Sequence, residues 1–143
     1  MSSSDASTPL PITRIQALYF ELIKTIRYNE LDGERVVTDL LRWRDLWDSV
    51  IADRQLTPRL GPTTEFQYNV YPPLSLLRTT RYDDWPADTL YIWTDDERLP
   101  RLRNLIGEQW QGCAIDLVDQ EDVAVMFHGF YRPEHRVLEL WWD

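Results

Sequence analysis

Residues 88–118 read DTLYIWTDDERLPRLRNLIGEQWQGCAIDLV, and their order decides the fold. Leu90-Tyr91-Ile92-Trp93 is apolar on both faces, as a strand covered from two sides is. Thr94-Asp95-Asp96-Glu97 has capping-box spacing, with threonine at the N-cap and glutamate at N3. Pro100 conflicts with a helix already one turn old, so the pattern predicts a short first turn and a restart there. Leu99, Leu102, Ile106 and Trp110 then form a buried stripe, and Gly112 is a natural stop. Residues 113–118 read as a second strand, with Cys113, Ile115 and Leu117 on one face. Strand, helix and strand imply a right-handed parallel crossover.

Downstream, residues 119–122 read as a tight acidic turn. Residues 123–130 and 136–142 read as a hairpin across residues 131–135. Upstream, Ile15, Leu18, Leu22, Ile23 and Ile26 recur at helical spacing and predict one buried stripe. Residues 29–33 form a turn with Asp32 available as an N-cap. A second helix over residues 34–53 is predicted from Val36, Leu40, Trp43, Trp47, Val50 and Ile51 on one side. Between them lie Pro58, Pro62, Pro72, Pro73 and Pro86, with a strand signal at Phe66, Tyr68 and Val70.

The expected architecture is therefore α+β: an N-terminal antiparallel helical hairpin packed on a mixed sheet, with a C-terminal β-α-β-β-β unit. Residues 1–11 read as a flexible tail and residues 12–143 as a single domain. Within that domain, residues 12–55 are the hairpin, 56–87 the Pro-rich middle and 88–143 the C-terminal unit. A chain of 143 residues fits one domain and buries enough surface for a stable core. An apolar share of 43% excludes wholesale disorder despite the acidity.

The net charge of −9 is concentrated after residue 81. Residues 82–143 hold 14 acids against 5 arginines, while residues 1–81 hold 10 of each sign. The same segment carries Trp85, Trp93, Trp110, Trp141 and Trp142. This balance opposes attraction to nucleic acid or anionic lipid and favours a cationic partner. A single cysteine, Cys113, permits no internal disulfide. The N-terminus lacks the basic and apolar regions of a signal peptide, and no apolar run approaches the ~20 residues of a membrane span. A cytoplasmic protein is the expectation.

Catalytic signatures are sparse. There is no nucleophile elbow, no phosphate-binding glycine loop and no metal-ligand spacing. Cys113 begins a predicted buried strand, and His128 and His135 lie too far apart along the predicted hairpin to share a metal. The expectation is a non-enzymatic interaction module of inhibitor, immunity-type or accessory kind, with no cofactor, docking a basic protein partner. Asp95, Asp96, Glu97, Asp119, Glu121 and Asp122 are the candidate contact acids, and Trp141 the candidate anchor. Two rival readings remain. The same acids would serve a metal-dependent hydrolase at the strand ends. A small-molecule sensor would instead line a pocket with Trp43, Trp47, Tyr68 or Trp93.

Overall fold

A computed structural model describes residues 11–53, 58–60, 66–68, 85–127 and 132–142. Helix α1 (Arg14–Ile23) starts where the Thr13 hydroxyl accepts the Gln16 amide at 3.0 Å. Helix α2 (Gly33–Arg42) starts at Asp32, whose carboxylate accepts the Arg35 amide. The two pack as the expected helical pair. Their junction requires glycine, because a Cβ on Gly33 would lie 1.8 Å from the Ile23 carbonyl oxygen.

The chain then departs from the long helix expected over residues 34–53. α2 stops at Arg42, a 3₁₀ turn covers Arg44–Leu46, and β1 (Ser49–Asp53) follows. The Trp47 indole N–H donates to the Leu40 carbonyl at 2.7 Å, taking the acceptor that the Arg44 amide would use in a continuing helix. Trp47 is already extended, at φ −145° and ψ 158°. The apolar positions that mimicked a helical stripe therefore divide. Val36 and Leu40 face the core from a helix, and Val50 and Ala52 face it from a strand.

Residues Pro58–Leu60 (β2) and Phe66–Tyr68 (β3) form a separate two-stranded antiparallel ladder. Val70, the last residue of the expected strand signal, and the rest of the Pro-rich middle to residue 84 lie outside the described residues. β4 (Thr89–Asp95), α3 (Leu99–Gln109) and β5 (Ala114–Leu117) follow as the sequence predicts. Thr94 does not cap α3. It is fully buried and donates to the Leu46 carbonyl, while Asp95 accepts the Arg98 amide.

Residues 123–127 of the expected first hairpin strand belong to helix α4 (Gln120–Phe127) instead, and residues 128–130 of that strand lie outside the described residues. The Asp119 carbonyl accepts the amides of Asp122 and Val123, and Glu121 and Asp122 lie in the first turn, where negative charge complements the helix dipole. The acidic turn was a helix start. β6 (His135–Trp141) follows, so among the described residues the C-terminal unit is β-α-β-α-β and not β-α-β-β-β.

The main sheet has the order β1-β4-β6-β5, with every neighbouring pair antiparallel. It is not mixed, because β6 lies between β4 and β5. Those two strands run in the same direction, as the crossover predicted, yet share no ladder. One face carries Val50, Ala52, Leu90, Ile92, Leu138 and Leu140 into a core shared with all three helices before β5. The other face packs Tyr91 and Val137 beneath Val123 of α4.

The rotation of α1 differs from expectation. It buries Gln16, Phe20 and Ile23, leaving Ile15 77% and Leu18 60% exposed. Gln16 explains the turn. Its amide donates to the Val50 carbonyl and accepts the Val50 amide, both at 2.9 Å, on the outer edge of β1. Tyr19 does the same for Ala52, donating at 3.0 Å and accepting at 3.4 Å. Four backbone groups left dry would cost about 1–3 kcal/mol each. Burying Ile15 and Leu18 would return only about 1.5–3 kcal/mol each. Sealing the edge wins. Gln16→Met should therefore lower unfolding free energy by about 2 kcal/mol in urea denaturation, whereas Ile15→Gln should change it by less than about 0.5 kcal/mol.

Candidate functional site

Because β4 and β5 run in one direction, their carboxyl ends open onto the same end of the sheet. Asp95 ends β4 beside His135 of β6, and Asp119 follows β5 by two residues. The turn before β6 joins them. The Asp96 backbone amide donates to the Glu134 carbonyl at 3.1 Å, and the Gln120 side chain donates through Nε2 to the carbonyls of Pro133 and His135. Asp95, Asp96, Glu97, Asp119, Glu121 and Asp122 are thus gathered at one end.

Trp141 is not with them. It pairs with Thr89 and Ala114 at the opposite end of β6, six residues or roughly 20 Å from the acids at about 3.3 Å per residue. It is half-buried, and Trp142 is buried in the core against Trp110.

The acids divide into an inner, paired set and an outer set. Arg98 donates to Asp95 through Nε at 2.9 Å and to Asp48 through Nη2 at 2.7 Å. Burial opposes the Asp95 carboxylate, but hydrogen bonds and charge from Arg98 outweigh it and hold the carboxyl below its usual range. Burial likewise works against the Arg98 charge, and Asp48 and Asp95 overcome it and raise the guanidinium. Arg136 Nε lies 2.9 Å from Asp96. Glu97, Asp119, Glu121 and Glu134 are exposed and carry no ion pair among the described residues. Arg98 and Arg136 are held by the inner acids, while exposed Arg132 lies two residues from Glu134 in the turn before β6.

Sequence reasoning missed Asp48 and Glu134, which reach this end only through tertiary structure. It also missed a dyad on the α4-covered face, where the Tyr91 hydroxyl donates to buried Glu139 at 2.8 Å. Alternation along β6 put Glu139 opposite the core side, but no local pattern announces its partner 48 residues away.

Groups suited to covalent chemistry are muted. Burial raises the Cys113 thiol, and the side chain donates to the Trp110 carbonyl. Burial also pushes the Tyr19 phenol up, keeping it protonated as a donor to β1. Among the described residues no group of three or more His, Cys, Asp or Glu converges as a metal site would require. Trp43 and Trp47 fill the core, Trp43 against Trp110 at 5.2 Å and Trp47 against Phe20 at 5.6 Å. No described helix is long and apolar enough to cross a membrane.

Compared with protein-family models, curated proteins and solved structures, the chain finds no match in any of the three. The geometry of the site stands alone.

A depressed carboxyl pKa contributes stability that is present above the unfolded value of about 3.9 and lost as pH falls through the folded value. Asp95→Asn should accordingly destabilise the protein by about 1 kcal/mol or less at pH 7. The gap from the unsubstituted chain should narrow as pH falls below about 4, which unfolding curves across that range will show.

Proposed function

We propose that this chain is a protein-interaction module that docks a basic partner through the acidic end of its sheet. The observation carrying this reading is the outer rim of Glu97, Asp119, Glu121 and Glu134, exposed and without ion pairs among the described residues while Arg98 and Arg136 are held by neighbouring acids. A surface with a surplus of one sign steers an oppositely charged protein and raises its encounter rate. The acids sit on strand ends and a helix start, so they present a fixed pattern and not a mobile tail.

Trp141 plays a separate part in this proposal. At roughly 20 Å from the rim, it would anchor only a partner extended along the sheet. The inner pairs Asp48–Arg98–Asp95 and Asp96–Arg136 hold the scaffold in shape beneath the rim.

The test reverses charge at exposed positions. Glu97→Lys, Asp119→Lys and Glu121→Lys together should leave the melting temperature within a few degrees, since each side chain is exposed. A basic protein captured by the unsubstituted chain should bind the triple variant at least tenfold more weakly. Its affinity for the unsubstituted chain should fall with added salt. Equal binding of the same proteins by both baits, insensitive to salt, would remove the proposal.

A further inference from the structure

The main sheet has two edges, β1 and β5, and the chain treats them oppositely. The outward amides and carbonyls of Val50 and Ala52 on β1 are met by Gln16 and Tyr19. On β5 the Val118 amide donates to the Val137 carbonyl at 2.9 Å. In an antiparallel ladder such pairs alternate, so Asp116 and Ala114 also bond to β6, while Ile115 and Leu117 turn their backbone groups away from it. Among the described residues no strand lies on that side, and Asp116 and Leu117 are exposed.

The side chains along this edge define what would fit beside it. Ile115 and Leu117 lie on the core side, Leu117 with 39% of its surface in water. Asp116 lies on the other face, level with Glu139, and the acidic rim begins just beyond at Asp119 and Glu121. At the far end of β5, Ala114 stands opposite half-buried Trp141. Strand addition places the side chains of the incoming segment alternately on these two faces.

We infer that the open edge of β5 takes an extended segment of a partner protein in which basic and apolar residues alternate. Apolar residues of that segment cover Ile115 and Leu117, and basic residues meet Asp116 and the rim. The inference rests on the reading of the chain as a docking module for a basic partner, and it specifies how that partner is held. A second copy is a poor occupant. Each chain carries a net charge of −9, and antiparallel pairing of two β5 edges through Ile115 and Leu117 would set Asp116 directly opposite Asp116 of the second copy, where like charges repel.

The test uses the full chain, isotope-labelled, with the blocked peptide Lys-Val-Lys-Val-Lys-Val-Lys and the same peptide N-methylated at all seven residues, which leaves no strand donor on either of its edges. Both probes carry the same charge, but only the first can bond to a strand edge. The unmethylated peptide should slow hydrogen exchange at the Ile115 and Leu117 amides at least tenfold, and the methylated one should bind at least tenfold more weakly. Leu117→Pro, which removes an outward donor and keeps the bonds to β6, should weaken the unmethylated peptide similarly at an unchanged melting temperature. If that variant fails to fold, the two peptides decide alone.

Equal binding of both peptides without protection of these amides would overturn strand addition and leave the acidic docking surface standing. Failure of both peptides to bind would overturn the inference, with the charge-reversal experiment judging the broader proposal separately. Protection that grows with protein concentration and no peptide would assign the edge to a second copy, which also overturns it.

Discussion

The pair of hydrogen bonds between the Gln16 amide and the backbone of Val50 governs how this molecule is assembled. A sheet edge buried under a helix must have its donors and acceptors met, and a neighbouring strand is the usual means. Here a helix supplies the partners from its side chains. Gln16 and Tyr19, three residues apart on α1, reach Val50 and Ala52, two residues apart on β1. Helical spacing and strand spacing coincide over this short distance, which lets two side chains stand in for a strand. The arrangement sets the rotation of α1, and with it the unusual exposure of Ile15 and Leu18.

That constraint propagates. With α1 fixed on β1, Phe20 meets Trp47 and Tyr19 meets Trp85, so the helix is tied to the core by rings as well as by hydrogen bonds. Trp47 in turn ends α2 by taking the Leu40 carbonyl. α2 then presents buried Asp39 to the indole N–H of Trp110 at 2.8 Å, fastening the end of α3. Three tryptophans, Trp43, Trp110 and Trp142, continue this line to the end of β6. The tryptophan content therefore serves assembly first. Trp141, on the opposite side of its strand from Trp142, is the one at the chain's end that keeps partial access to solvent.

Much of this was legible in the sequence where pattern and packing agree. Asp32 and Gly33 mark the junction of the helical pair, and Leu102, Ile106 and Trp110 carry α3 into the core as their spacing implies. The α+β class follows from them. β1 was hidden because Trp43, Trp47 and Val50 lie three or four residues apart, a spacing that a helix explains equally well. What breaks the helix is a tertiary bond from Trp47, invisible to periodicity. α4 was hidden for the converse reason: Val123, Val125 and Phe127 alternate like a strand, and the preceding acids serve equally as a turn or a helix start. The gathering of acids was legible because strand direction alone carries β4 and β5 to one end. The pairing of Asp48 with Arg98 spans 50 residues and leaves no local trace. Nor does the sequence reveal that β6 separates β4 from β5.

One contrast unites the fold and its proposed use: a sheet with one edge sealed by side chains and the other with no strand beside it among the described residues, next to a rim of carboxylates. Hydrogen exchange of the free protein, read amide by amide, tests this most directly. The account predicts that the Val50 amide exchanges as slowly as those of the central strands β4 and β6, while the Ile115 and Leu117 amides exchange orders of magnitude faster. Equal protection at both edges, or rapid exchange at Val50, would contradict it.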